Sequence, residues 1–136
     1  MAVKHIKNYN NNTPSWEVIL NNFNEAREKN SRIRHNNLDF FVTLIAEEIP
    51  EVKTVLQNLN LSFAHSYINL SRQGGTFGNH KDDTDVWFWQ VKGKTQWIVE
   101  NIIYELEEGD LIYVPAGIYH EVIPLGPRCG ISMSKK

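Results

Sequence analysis

The stretch Glu105–Val122, ELEEGDLIYVPAGIYHEV, decides how the chain is read. An acidic-glycine turn, EEGD at 107–110, precedes the apolar run LIYV at 111–114; the turn PAG at 115–117 and then His120 follow. A short apolar run bounded by two turns fits a buried strand, because a helix needs ~10 residues or more. Working outward, HEVIP at 120–124 and RCGISMS at 128–134 supply two further strands. Upstream, LSFAHSYINL at 61–70 alternates, with His65, Tyr67 and Asn69 on one face and Ala64, Ser66 and Ile68 on the other. DVWFWQV at 85–91, KGK, and TQWIVE at 95–100 read as a hairpin. Six or so short strands with tight turns predict an antiparallel sandwich or barrel.

The front of the chain reads differently. All eight glycines lie between Gly74 and Gly130, whereas twelve of the fifteen asparagines fall in the first 60 residues. Thr13 followed by Pro14 predicts a helix start, and Trp16, Ile19, Leu20 and Phe23 then form one apolar stripe. A second helix is expected from Leu38 to Glu48, and a third opens at Pro50 with Val52, Val55, Leu56 and Leu59. The asparagine tract at 8–12 reads as a flexible lead-in, with His5 and His35 facing solvent. Trp87 and Trp89 alternate with Val86 and Phe88, so both faces of the hairpin are apolar, and the front helices are expected to cover the outer one. The expectation is a single domain, 1–136, whose helical part, 1–60, packs on a β-body at 61–134.

Composition narrows the function classes. The 136 residues carry 14 basic and 16 acidic side chains, a formal charge of −2, which argues against general nucleic-acid or anionic-membrane binding. One cysteine, Cys129, allows neither an internal disulfide nor a thiolate zinc cluster, and it is expected to be a small buried hydrophobe. No apolar run approaches the ~18 residues of a membrane span, and MAVKHIKNYNNN lacks a signal-peptide core. These features point to a cytoplasmic protein.

The chemistry gathers at His80, Asp82 and His120. Positions i and i+2 of an extended segment project to one face, so His80 and Asp82 can hold one ion. His120 follows the proline-glycine turn. Two histidines and a carboxylate form the facial triad, which leaves coordination positions open on Fe(II) for a cosubstrate and dioxygen. Glu121 should point away from that ion, and the acidic cluster Glu105, Glu107, Glu108 and Asp110 reads as a solvated turn whose backbone Asp110 can fix.

The segments HKDDTDVWFWQVKGKTQWIV (80–99) and YELEEGDLIYVPAGIYHEV (104–122) resemble the JmjC and cupin-like Fe(II)/2-oxoglutarate oxygenases, in their ribosomal-protein and asparaginyl hydroxylase branch. The resemblance covers residues 61–134. It implies a mostly β fold with N-terminal helices, a double-stranded β-helix (cupin or jelly-roll barrel), with His80, Asp82 and His120 as iron ligands. It also implies a dioxygenase using Fe(II) and 2-oxoglutarate on a protein side chain or a small molecule.

One position departs from the branch. Where a lysine or arginine would bind the distal carboxylate of 2-oxoglutarate, this sequence has Thr95, and Lys92 and Lys94 fall on the opposite face unless the turn slips by one residue. HEVIPLGPRCGIS resembles instead the distal-histidine segment of prolyl-hydroxylase-type oxygenases, which implies that Arg128 takes the carboxylate, as a planar guanidinium fork can. Tyr67 and Asn69, on the strand before His80, are candidate donors to 2-oxoglutarate, with Thr95 as a helper. A metal-binding cupin without 2-oxoglutarate turnover is the alternative.

Overall fold

The computed structural model describes residues 2–29, 33–36, 39–72 and 76–135. Among the described residues, ten strands, two α-helices and one short 3-10 turn follow in the order β1 (Lys4–Ile6), α1 (Trp16–Glu28), β2 (Ile33–Asn36), β3 (Phe40–Thr43), the 3-10 turn (Ala46–Glu48), α2 (Pro50–Leu59), β4 (Phe63–Asn69), β5 (Val86–Lys92), β6 (Thr95–Val99), β7 (Ile102–Leu106), β8 (Leu111–Val114), β9 (His120–Pro124) and β10 (Arg128–Ser134). All pairings between these strands are antiparallel. A seven-stranded sheet runs β1-β8-β5-β10-β4-β3-β2, and a three-stranded sheet runs β7-β6-β9.

Two apolar clusters hold these layers, and strand parity divides them. Ala64, Ile68, Trp89, Val91, Ile131 and Met133 face outward from the large sheet and pack with Ile19 of α1 and Val52, Val55 and Leu56 of α2. Val86, Phe88, Trp97, Val99, Leu106, Ile112 and Val114 form the second cluster, between the sheets. Trp89 is fully buried and Trp87 half-buried against the cluster that includes Ile19, Val52, Val55 and Leu56.

α2 starts at Pro50, where a missing N–H costs no bond, and ends at Asn60 in the left-handed region. α1 begins later than the Thr13–Pro14 signature suggests. Its cap is Ser15, whose hydroxyl accepts from the Val18 N–H.

Three expectations are overturned. Within the expected helix 38–48, Leu38 lies outside the described residues; Phe40–Thr43 instead forms β3, paired with β4 through Phe40–Asn69 and Val42–Tyr67. Phe-Phe-Val-Thr is an aromatic and β-branched run that fits a pleated surface, and the helical spacing of its apolar residues was incidental. The stretch 8–12 is not a free lead-in either. Asn8 N–H donates to Asp110, Asn10 N–H to the Gly109 carbonyl, and the Trp89 indole to the Asn10 carbonyl. His5 Nε2 lies 3.1 Å from Asp110 rather than in solvent, while the side chain of His35, a residue of β2, falls outside what is described. Lastly, the β-body at 61–134 has seven strands, β4–β10, where six or so were expected, and β1–β3 add three more from the part expected to be helical. β7 was hidden because its Ile102 and Ile103 are exposed, and the turn that makes it rests on Glu100 and Asn101 at positive φ.

Candidate metal centre and its cavity

His80 lies outside the strands and meets His120, the first residue of β9, at one point. A single antiparallel bridge joins them, His80 N–H donating to the His120 carbonyl at 2.9 Å and His120 N–H to that of His80 at 2.7 Å. The bridge sets the two imidazoles 4.5 Å apart between centroids. Asp82 is brought in by the proline turn, where the Gly117 N–H donates to the Asp82 carbonyl at 2.9 Å. The turn reaches that position because Gly117 adopts a φ of 81°, open to glycine at no steric cost.

The donor set suits a divalent ion. Asp82 Oδ1 lies 4.0 Å from His80 Nε2 and Oδ2 3.3 Å from His120 Nε2, and one donor atom from each residue falls within 4.8 Å of the others. Each histidine sets its own tautomer through the residue two positions earlier: His80 Nδ1 is 2.7 Å from the Gly78 carbonyl and His120 Nδ1 3.0 Å from the Ile118 carbonyl. A carbonyl only accepts, so both Nδ1 atoms carry hydrogen and both Nε2 lone pairs are left for a cation. Trp97 stacks on His120 at 5.4 Å and 17°, fixing the ring plane.

Beneath this cluster lies a cavity of about 170 Å³. His80, Asp82 and His120 line it, as do Tyr67, Phe77, Phe88, Trp97 and Arg128. The register of β10 and β4, with Arg128 opposite Asn69, Gly130 opposite Tyr67 and Ser132 opposite His65, lays out its polar wall. Gly130 is required there. A Cβ on it would lie 1.9 Å from the Phe88 ring, which packs 4.7 Å from Trp97.

Arg128 is 1% exposed, and burial pulls its guanidinium down to about 10, still a cation at neutral pH. Its Nε donates to Asn69 Oδ1 at 2.7 Å, whereas Nη1 is buried with no hydrogen-bond partner. No ion pair joins it to a carboxylate among the described residues. The rings of Phe40 and Phe88 each lie 6.0 Å from it.

The predicted cosubstrate residues therefore separate. Arg128 and Tyr67 line the cavity that contains the triad. Asn69 is fully buried and meets Arg128 rather than the cavity. Thr95 is off the cavity wall, its hydroxyl donating to Gln90 Oε1 at 3.0 Å. The hairpin has not slipped, since Lys92 and Lys94 turn outward to Glu108 and Glu107 at 2.7 and 3.2 Å. Cys129 is fully buried, with its thiol pushed up to about 12 by burial. Phe40 and Trp97 were not anticipated as site residues. The parity of Trp97 with Thr95 and Val99 was a usable signal, whereas Phe40 was concealed by the helical reading.

Residues 66–128, just under half of the chain, match the cupin domain family. No curated protein sequence matches this one. Among solved structures, the Escherichia coli ribosomal oxygenase YcfD, in complex with cobalt and 2-oxoglutarate, superposes with a TM-score of 0.77 at 18% identity, over 97% of this chain and 47% of YcfD. The chain thus spans about half the length of that protein. A cupin superfamily protein from Desulfitobacterium hafniense matches at a TM-score of 0.59 and 12% identity over 96% of both chains. KdgF from Halomonas matches at 0.54 and 14%, over 76% of this chain and 88% of KdgF. At these identities the likeness speaks for architecture alone, and the architecture is a mostly β cupin fold with two N-terminal helices, its two antiparallel sheets arranged as in a double-stranded β-helix.

Proposed function

We propose that this chain is an Fe(II)- and 2-oxoglutarate-dependent oxygenase, with His80, Asp82 and His120 as the metal ligands and Arg128 as the receptor for the distal carboxylate of 2-oxoglutarate. The observation that carries the reading is one cavity lined both by two imidazoles and a carboxylate and by a buried guanidinium with an unpartnered Nη1. A buried cation without a counter-charge is costly, and a carboxylate placed against it relieves that cost.

The chain's own groups divide the work. Gly78 and Ile118 hold the tautomers that turn both Nε2 atoms to the ion, and Asp82 supplies the negative charge. Phe40 and Phe88 keep water from the guanidinium, so its attraction for a carboxylate is strengthened in a low dielectric. Tyr67, which lines the same cavity as Arg128, would donate its hydroxyl to the same carboxylate. When bound, Fe(II) would activate dioxygen so that one oxygen atom enters a substrate C–H bond as hydroxyl and the other enters the new carboxylate of succinate as 2-oxoglutarate loses carbon dioxide. The substrate is a protein side chain or a small molecule.

A metal-binding cupin without 2-oxoglutarate turnover is the second reading, and Thr95 favours it: a hydroxyl bound to Gln90 occupies the place of the branch's cation. An anaerobic titration of Fe(II)-loaded protein with 2-oxoglutarate separates the two. The oxygenase gives a saturable visible charge-transfer band and, on admitting oxygen, succinate. A filled iron site that binds no 2-oxoglutarate at millimolar concentration leaves the second reading standing.

A further inference from the structure

We infer that Asn69 is a positioning residue that acts through Arg128: it holds Nε so that the Nη edge of the guanidinium is presented to the cavity as the carboxylate receptor. This rests on the cosubstrate reading above. An arginine side chain has many rotamers of similar energy, and a cation buried among aromatic rings has little polar structure to choose between them. Here one choice is made. Asn69 Oδ1 accepts from Nε at 2.7 Å, and its own Nδ2 donates to the Asp39 carbonyl at 3.3 Å. The amide is therefore oriented from behind by the backbone just before β3, and its oxygen, not its nitrogen, faces the cation.

The asparagine does what a carboxylate cannot. An aspartate at 69 would hold Nε equally well but would neutralise the charge that the ligand needs. A neutral acceptor fixes the geometry and leaves the full positive charge for the cavity that Arg128 lines, and its buried Nη1 has no partner. The strand register makes this possible, since Arg128 and Asn69 are directly opposite on β10 and β4.

The test is 2-oxoglutarate affinity of the full chain loaded with Fe(II), in wild type, Asn69→Ala, Asn69→Asp, Arg128→Ala and the Asn69→Ala/Arg128→Ala double variant. Metal affinity is recorded in parallel. Loss of a hydrogen bond to a charged group is expected to weaken 2-oxoglutarate about tenfold to a hundredfold in Asn69→Ala. It should add nothing in the Arg128→Ala background and leave metal affinity unchanged. Asn69→Asp should weaken the ligand more than Asn69→Ala, which a merely structural asparagine would not predict. Additive losses in the double variant, or wild-type affinity in Asn69→Ala, overturn the proposal while Arg128 keeps its role. Nitrogen-edited NMR of the metal-free protein reads the positioning directly, whether or not 2-oxoglutarate is the ligand. The Arg128 Nε–H should be protected from solvent exchange in wild type and Asn69→Asp and lose that protection in Asn69→Ala; equal protection in wild type and Asn69→Ala refutes it.

Discussion

His80 and His120 obtain the same tautomer by the same local device, an Nδ1–H given to the carbonyl two residues upstream. Such a device acts before any metal arrives, so the site should bind its ion with little rearrangement. His80→Ala and His120→Ala are each expected to abolish stoichiometric iron, measured as metal content after reconstitution and desalting. His65→Ala, on the polar wall of the cavity, should retain it. Equal retention by all three would remove the triad. For Arg128, truncating one partner of a buried charge pair costs ~2–5 kcal/mol, roughly 30- to several-thousand-fold in 2-oxoglutarate affinity. Arg128→Ala should show that loss with its iron in place, and Lys94→Ala should bind as wild type does. Spacing and the family resemblance together singled out His80, Asp82 and His120, which the fold brings together, because parity and a proline turn are local features. They did not assign Asn69 or Thr95. Their hydrogen bonds depend on which neighbour each meets across the sheet, and Asn69 and Arg128 are 59 positions apart.

Strands were read most securely where turn residues bounded an alternating run, as in β4, or a short apolar one, as in β5, β6 and β8. β3 failed because four residues carry too little periodicity to separate a strand from a helix turn, and its pairing with β4 decided the matter. The outer face of β5 gives a direct check on the packing. Trp89 is fully buried in the helical cluster, so Trp89→Ala should cost ~3–5 kcal/mol of unfolding free energy. Trp87, half-buried and 4.8 Å from Tyr113, should cost clearly less. The turn before β8 makes a second check. Burial raises the Asp110 carboxyl, but the N–H groups of Glu107 and Asn8 and the His5 ring outweigh it, so the net shift is downward. A lowered carboxyl stabilises the fold above its unfolded value, ~3.9, and that contribution disappears as pH falls through the lower folded value. Denaturant midpoints of wild type and Asp110→Asn should therefore differ at neutral pH and converge in acid. A difference that grows below pH 4 would contradict the assignment.

At the scale of the molecule, the question is whether residues 1–60 are a cover or a component. Their α1 and α2 shield the outer cluster that includes Trp89, Ile131 and Met133. Three strands of the large sheet, β1, β2 and β3, also come from this part, so removing it opens both new edges at β8 and β4. The site itself reaches into the segment, since Phe40 lines the cavity against the Arg128 guanidinium and the Asp39 carbonyl orients Asn69. One cooperative unit is the expectation. A chain starting at Asn60 should be insoluble, or else molten, with retained far-ultraviolet dichroism, lost near-ultraviolet signal and dye binding to exposed apolar surface. The proposed metal ligands all lie beyond residue 60, so any soluble fraction could still take up iron, but 2-oxoglutarate affinity should fall further than iron affinity. Calorimetry of the truncated chain beside the full one supplies the comparison. A sharp transition with both affinities unchanged would make the helices and β1–β3 an appendage, and the cavity a property of the β-body by itself.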